Sequence, residues 1–282
     1  MSENPSNHKG RPAASADAGQ TPGYVSEVFC SLQGEGPYVG ERQIFFRTAG
    51  CSETCSWCDT VYSKVRTPRC VIRGRDGRAA RTLPNPYTVD VAVGVVLKVA
   101  EENPGTRVVS ITGGEPLEQS EFVTALAARL ASGGLSVYLE TNGNHDLALS
   151  GILPFVDVVA MDIKLPSAVD GSMWNEHSAF LSRIEGTAFD PDAAFDKSNQ
   201  KHLFVKVVVD ERSCVGEIET AARLIASTNR RIPLVIQPES RTYLSAGGSR
   251  LNGMLSEFRE AASRVLDDVR VMPQVHKILN IR

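Results

Sequence analysis

Three cysteines fall in one short run, Gly50-Cys51-Ser52-Glu53-Thr54-Cys55-Ser56-Trp57-Cys58-Asp59-Thr60, at the spacing C-x3-C-x2-C. Thiolates are soft ligands that suit iron–sulfur clusters and zinc. A closed four-iron cluster takes four cysteines. Here one loop offers three and stops, and the remaining cysteines, Cys30, Cys70 and Cys214, are scattered. A cluster held by three thiolates keeps one iron open to a substrate or cofactor, as catalytic metal sites keep an open position. The same residues could instead form a structural zinc loop, with His145, His177, His202 or His276 as a distant fourth ligand, or could be a chance spacing.

Further chemistry-bearing clusters follow short apolar runs. Thr112-Gly113-Gly114-Glu115-Pro116 comes directly after Val108–Ile111. Two glycines allow close approach to the backbone, and Glu115 offers a carboxylate to a cationic group. An ordinary strand-to-helix turn would look the same in isolation. Glu140-Thr141-Asn142-Gly143 follows Leu135–Leu139, and Asp162-Ile163-Lys164 follows Val156–Met161. Each combines a carboxylate with donors, although a lone strand-end Asp or Lys is more often solvated structure. Gln237, in Gln237-Pro238-Glu239, could read an adenine edge.

These clusters need a scaffold that gathers strand ends. Apolar strands are expected at Tyr24–Phe29, Ile44–Arg47, Arg107–Thr112, Leu135–Glu140, Phe155–Ile163, Leu203–Val209, Leu234–Gln237 and Val269–Met272. Helices are expected from an N-cap at Thr88 through Glu102, over Ser120–Ser132, over Gly216–Ser227 and over Met254–Asp267, from capping and 3.6-residue periodicity. Strands alternating with helices imply a parallel sheet, which presents ligands at the carboxyl ends of its strands. About six core strands are too few for a closed eight-fold barrel. The expected class is therefore α/β, an open partial (β/α)6 barrel. Residues 1–22 read as a disordered tail and 23–282 as one core domain. Residues 61–86 and 166–201 read as irregular insertions. The arginines at 66, 69, 73, 75, 78 and 81 read as a solvated loop.

The totals bound the function. The chain has 282 residues with a formal net charge of -3, so no basic footprint for nucleic acid is visible. No apolar stretch is long enough to suggest a membrane span. Clustered cysteines without a secretory signal read as a metal site in a cytoplasmic protein.

The C-x3-C-x2-C loop, taken with Gly113-Gly114-Glu115, resembles the radical S-adenosylmethionine (SAM) superfamily. The front of the chain narrows this. Ser31-Leu32-Gln33-Gly34-Glu35-Gly36, Gly40, Phe45, Arg47, the loop ending Trp57-Cys58-Asp59-Thr60, and the tail Pro273–Arg282 resemble the 7-carboxy-7-deazaguanine synthase family. The resemblance covers residues 24–282 and departs from the family in 1–22, 61–86 and 166–201.

It implies conversion of 6-carboxy-5,6,7,8-tetrahydropterin to 7-carboxy-7-deazaguanine with loss of ammonia, on the route to queuosine and related 7-deazapurines. It implies a 4Fe-4S cluster on Cys51, Cys55 and Cys58, S-adenosyl-L-methionine as cofactor, and Mg2+ on Thr60. Leu32, Gln33, Gly34, Glu35, Arg47, Thr112 and His276 would face the pterin, with Arg47 reading its carboxylate. Trp57, Asp59, Gly113, Gly114 and Glu115 would contact SAM, as would Glu140, Asn142, Asp162, Ile163, Lys164 and Gln237. A homodimer and a flavodoxin or ferredoxin-type electron donor are expected from the same source. Two rival readings remain: an enzyme that activates a glycyl radical on a partner protein, and a non-catalytic, zinc-stabilised binding module.

Overall fold

The structure, a computed structural model, describes residues 20–185, 187, 201–245 and 249–281. Its strands are β1 (Pro22–Gly23), β2 (Val25–Leu32), β3 (Arg42–Thr48), β4 (Arg69–Arg73), β5 (Ala79–Pro84), β6 (Tyr87–Thr88), β7 (Val108–Gly113), β8 (Ser136–Thr141), β9 (Val158–Ile163), β10 (His202–Val209), β11 (Leu234–Pro238) and β12 (Val269–Val271). Its helices are α1 (Val89–Glu102), α2 (Ser120–Ser132), α3 (Asp146–Ile152), α4 (Trp174–Ile184), α5 (Val215–Asn229), α6 (Ser240–Tyr243), α7 (Ser249–Ser263) and α8 (Val275–Ile278).

One sheet runs in the order β12-β11-β10-β9-β8-β7-β3-β2-β4-β5, and its two edges do not pair with each other. From β12 to β3 every neighbouring pair is parallel. The expected α/β class and open arrangement are therefore present.

Alternation along each strand sorts the side chains onto two faces. In β9, Val159, Met161 and Ile163 enter the large core under the helices, while Val158 and Ala160 join a small apolar cluster on the other face. In β10, Leu203, Val205, Val207 and Val209 face the helices and Phe204 faces inward. The helices supply matching apolar stripes, such as Phe122, Val123, Leu126 and Leu130 of α2. Each fully buried side chain of this size contributes about 1.5–3 kcal/mol. The inner face thus stays open for chemistry while the outer face carries the stability.

The helix predicted after Thr88 matches α1, and the Thr88 hydroxyl accepts from Val91 N at 3.3 Å. Elsewhere the structure corrects the expectations. Residues 61–86 are not irregular: β4 and β5 form a hairpin, and β4 adds in parallel to β2. Its signal was readable, since Cys70 and Ile72 alternate with exposed or half-buried neighbours and Asp76-Gly77 is a hairpin turn pair. Arg66, Arg69, Arg75, Arg78 and Arg81 are exposed as expected, but Arg73 is not.

Within 166–201, Trp174–Ile184 is a helix that buries His177, Phe180, Leu181 and Ile184; residues 186 and 188–200 lie outside the described residues. Helix α3 was not anticipated, because only Leu149 and Ile152 mark its buried face. The last long helix starts at Ser249 rather than Met254, and β9 starts after a 3-10 turn containing Pro154. The proposed tail lies outside the described residues up to 19, and Pro22 already pairs with Thr88.

Candidate active site

A cavity of about 580 Å³ opens at the carboxyl ends of the parallel strands. Every residue assigned from the sequence to the cluster, Mg2+, pterin or SAM lines it except Ile163. Alternation explains the exception: Asp162 points inward, so Ile163 is buried in the helix-side core.

The loop after β3 carries Cys51, Cys55 and Cys58 to the cavity wall, each half-buried. Its backbone is tied on both sides. Gly50 N donates to Ser63 O at 2.8 Å, Cys51 N to Lys64 O at 3.1 Å and Ser56 N to Ala168 O at 3.0 Å. Glu118 accepts from both Ser52 N and Ser52 Oγ at 2.7 Å. Burial pushes the Cys51 thiol up to about 11, with Glu115 and Glu118 adding to the rise. Burial also raises Cys55, against the pull of Lys164. Among the described residues, no three His, Cys, Asp or Glu side chains converge on one ion position. A cubane offers its irons separately, so its thiolates need not converge on a point. A single zinc ion would require that.

Two of the four candidate histidines are engaged elsewhere. His177 is buried, with Nε2 at 3.1 Å from Asn142 O, and burial lowers it to about 4, so it stays neutral. His202 stacks edge-on against Tyr38.

Gly113 and Gly114 are needed for packing more than for ligand access. A Cβ on Gly113 would strike the Thr48 backbone, and one on Gly114 would strike the Gly50 carbonyl. These glycines weld the turn after β7 to the root of the cysteine loop. Glu115 is likewise committed. Its carboxylate accepts from Leu117 N at 3.0 Å and from Thr141 Oγ1 and Asn142 N at 2.8 Å each. Burial raises its pKa despite those donors. Two of these bonds fall on Oε1 and one on Oε2, so Oε2 keeps acceptor capacity.

The inner face carries a second layer of polar groups. Glu140 accepts from Gln33 Nε2 at 3.0 Å, Ser110 Oγ at 3.1 Å and Thr112 Oγ1 at 2.8 Å. Asp162 Oδ2 meets Lys164 Nζ at 2.8 Å and Lys206 Nζ at 3.5 Å. Lys164 Nζ also lies 4.3 Å from the centre of the Trp57 ring, a cation–π contact. Lys206 donates to Glu35, and Gln274 Nε2 donates to Glu35 at 2.5 Å. Burial alone would raise Glu35; Lys206, helped by His276 and Gln274, outweighs it and brings the carboxyl to about 2. Lys206 is raised in turn, because Glu35 and Asp162 overcome its burial.

Arg47 lies across from Glu27 in the β2–β3 ladder and donates from Nε to Glu27 Oε1 at 3.1 Å. Thr60 lines the rim, its hydroxyl 4.0 Å from Cys58 Sγ. Asp59 pairs with Lys277 at 2.9 Å. His276 lies over Gly34, and burial lowers its pKa.

Sequence reasoning missed Lys206, Ser110 and Gln274, which line or brace the site. Lys206 was legible as the lone cation inside the apolar run of β10, at an inward position. Several buried polar atoms at the cavity have no partner within the described protein: Asn142 Nδ2, Asp162 Oδ1, Gln237 Oε1 and Trp57 Nε1. Such groups are costly to bury unless a ligand satisfies them.

The profile of the Radical SAM superfamily matches residues 45–167. The 7-carboxy-7-deazaguanine synthase of Geobacter sulfurreducens is 36% identical over 258 residues, spanning 90% of this chain and 96% of that protein. The 7-carboxy-7-deazaguanine synthase of Methanopyrus kandleri is 34% identical, spanning 92% of this chain and 95% of its own. The crystal structure of QueE from Escherichia coli shares the fold with a TM-score of 0.55, at 22% identity, covering 92% of this chain and 96% of that one.

Proposed function

Because the chain belongs to the 7-carboxy-7-deazaguanine synthase family of radical SAM enzymes, we propose that it converts 6-carboxy-5,6,7,8-tetrahydropterin to 7-carboxy-7-deazaguanine with loss of ammonia. The observation that carries this reading is the meeting of three chain segments at one cavity. The thiol trio forms one wall, and the loop Gln33–Glu35 with the C-terminal Gln274–His276 forms another.

The residues fit the groups the family uses. Cys51, Cys55 and Cys58 would hold a 4Fe-4S cluster, and the unpartnered atoms of Asn142, Asp162, Gln237 and Trp57 are available to SAM. When bound, the cluster and SAM supply one-electron chemistry that produces a hydrogen-abstracting radical. The protein binds, orients and excludes water. Lys206 stays protonated at Nζ and Glu35 ionised, so the floor presents fixed charges. Preorganised charges of this kind cost no reorganisation during reaction. Gln33 Nε2 is held by Glu140, and its Oε1 accepts from Gly34 N at 2.9 Å and Glu35 N at 3.0 Å, so the pterin-facing loop is locked by its own side chain. The Arg47 fork is suited to a carboxylate.

Thr60 supplies a single hard oxygen, which suits a Mg2+ completed by substrate and water. A homodimer, a flavodoxin or ferredoxin-type donor and a cytoplasmic setting complete the proposal. None of the described helices is long and apolar enough to cross a membrane.

The test is an anaerobic assay of the iron-reconstituted protein with 6-carboxytetrahydropterin, SAM, Mg2+ and a reductant. The expected result is 7-carboxy-7-deazaguanine with one ammonia released per turnover. Iron-loaded protein that leaves the pterin unchanged, or that raises a glycyl radical on a partner protein, would overturn the reading.

A further inference from the structure

The hairpin of β4 and β5 reaches into the substrate-facing side of the cavity through one buried carboxylate. Glu27 sits in β2, between β3 and β4, with Arg47 opposite on one side and Val71 opposite on the other. Its side chain is 2% exposed. Glu27 Oε1 accepts from Arg47 Nε at 3.1 Å and from the Tyr62 hydroxyl at 2.8 Å. Glu27 Oε2 accepts from Arg73 Nε at 2.8 Å. Two guanidinium groups therefore share one carboxylate. Arg47 lies along the Phe29 ring, 5.9 Å from its centre, and lines the cavity. Its Nε is anchored, and its two terminal nitrogens have no hydrogen-bond partner among the described residues.

We propose that Arg73 is a positioning residue for substrate. By taking a share of Glu27, it leaves more of the Arg47 charge unneutralised towards the cavity and its terminal fork free for the pterin carboxylate. This rests on the reading above that Arg47 meets that carboxylate. Arg73 offsets part of the Glu27 charge; without it, more of that buried carboxylate's charge falls on Arg47. The hairpin then acts as a brace for recognition, where the sequence suggested an irregular insertion.

Equilibrium binding of 6-carboxytetrahydropterin and of tetrahydropterin lacking the carboxylate, to wild type and variants, tests the proposal. Arg73→Gln is expected to weaken the carboxylated ligand about tenfold, the scale of one partly buried charge contact, and to leave the other ligand and SAM unchanged. Arg73→Lys should recover part of the loss. In an Arg47→Gln background, Arg73→Gln should have no further effect on the carboxylated ligand. Arg73→Met keeps the apolar stem and replaces Arg73→Gln if that variant does not fold. Unchanged binding in Arg73→Gln alongside weakened binding in Arg47→Gln would overturn the role of Arg73 and leave that of Arg47 standing. Unchanged binding in Arg47→Gln would remove the premise itself. Equal weakening of both ligands by Arg73→Gln would mark a merely structural hairpin and overturn the proposal.

Discussion

The imidazole of His276 rests on Gly34, 242 positions earlier in the chain, and a side chain on that residue would collide with its Nδ1, Cβ and Cγ. The backbones are joined as well, since Val275 N donates to Gly34 O at 2.8 Å. The C-terminal segment therefore closes on the Gln33–Glu35 loop because residue 34 has no Cβ. Gly34→Ala should lower stability by about 1–3 kcal/mol, the usual cost of overpacking, and weaken pterin binding. His276→Gly in the same protein should restore part of the stability, because it removes all three colliding atoms. Thermal melts of the four-member cycle check this; additive losses would refute the contact.

The Glu35–Lys206 pair predicts an unusual pH response. Glu35 has a folded pKa near 2, below its ordinary value of 4.5. Its contribution is present above the unfolded pKa and is lost as pH falls from about 4.5 towards 2. Lys206→Met removes the largest cause of the depression and leaves burial, the largest single cause, which raises the carboxyl against the smaller pull of His276 and Gln274. The sign then reverses: the folded state holds the proton more tightly, so Glu35 destabilises as pH rises. Lys206→Met should cost about 3 kcal/mol at pH 7, and the deficit should shrink towards pH 4. Denaturant unfolding of both proteins across that range measures it; a pH-independent deficit would sink the assignment.

Much of the site was legible because strand alternation is rigid. Once β7, β8, β9 and β10 are placed, Thr112, Glu140, Asp162 and Lys206 must all face one side, and Ile163 must face the other. The cysteine spacing and the Gln33–Glu35 loop were readable as motifs. What was not legible came from long-range packing. Gly113 and Gly114 line the cavity, but the sequence did not show that their lack of side chains also serves the approach of Thr48 and Gly50. Glu115 read as a carboxylate offered to a cationic group, and the sequence did not show that three local donors also bind it. The β4–β5 hairpin was overlooked because arginines diluted its apolar alternation, although Asp76-Gly77 marked its turn. Helix α4 hid its buried stripe, His177, Phe180, Leu181 and Ile184, in a polar stretch.

Thiol reactivity offers a direct check on the cysteine loop. The Cys51 thiol is raised to about 11 by burial and by the nearby Glu115 and Glu118 carboxylates, and burial raises Cys55 as well. The thiolate is both nucleophile and ligand, so apoprotein at pH 7 holds these two protonated. Alkylation of Cys51 by iodoacetamide should be slow at pH 7 and speed up steadily to pH 10. Iron loading should release protons and become easier over the same range. Peptide mapping after timed alkylation reads each cysteine separately. Cys55→Ala should lose the cluster and activity while the melting profile persists, because the loop is tied by backbone bonds on either side of that residue. An iron-loaded, active Cys55→Ala protein would contradict the ligand set.

Thr60 sets the last test, because its hydroxyl is placed for a role that its backbone does not need. The carbonyl of Thr60 already accepts from Ser63 N at 2.8 Å and Ser63 Oγ at 2.7 Å, which closes the turn that follows. Among the described residues, the side chain makes only the long contact with Cys58 Sγ. Removing the hydroxyl therefore leaves the turn intact, and Thr60→Ala should fold as wild type does. If the hydroxyl ligates Mg2+, the alanine variant should need about tenfold more Mg2+ for half-maximal turnover, a shift of about 1.4 kcal/mol, while SAM binding stays the same. Thr60→Ser, which restores the oxygen, should return the Mg2+ response. Because the ion would share its remaining positions between water and substrate, the KM for the pterin should rise with the same variant and fall again as Mg2+ is raised. A Thr60→Ala enzyme with the wild-type Mg2+ titration would remove the ion from this residue.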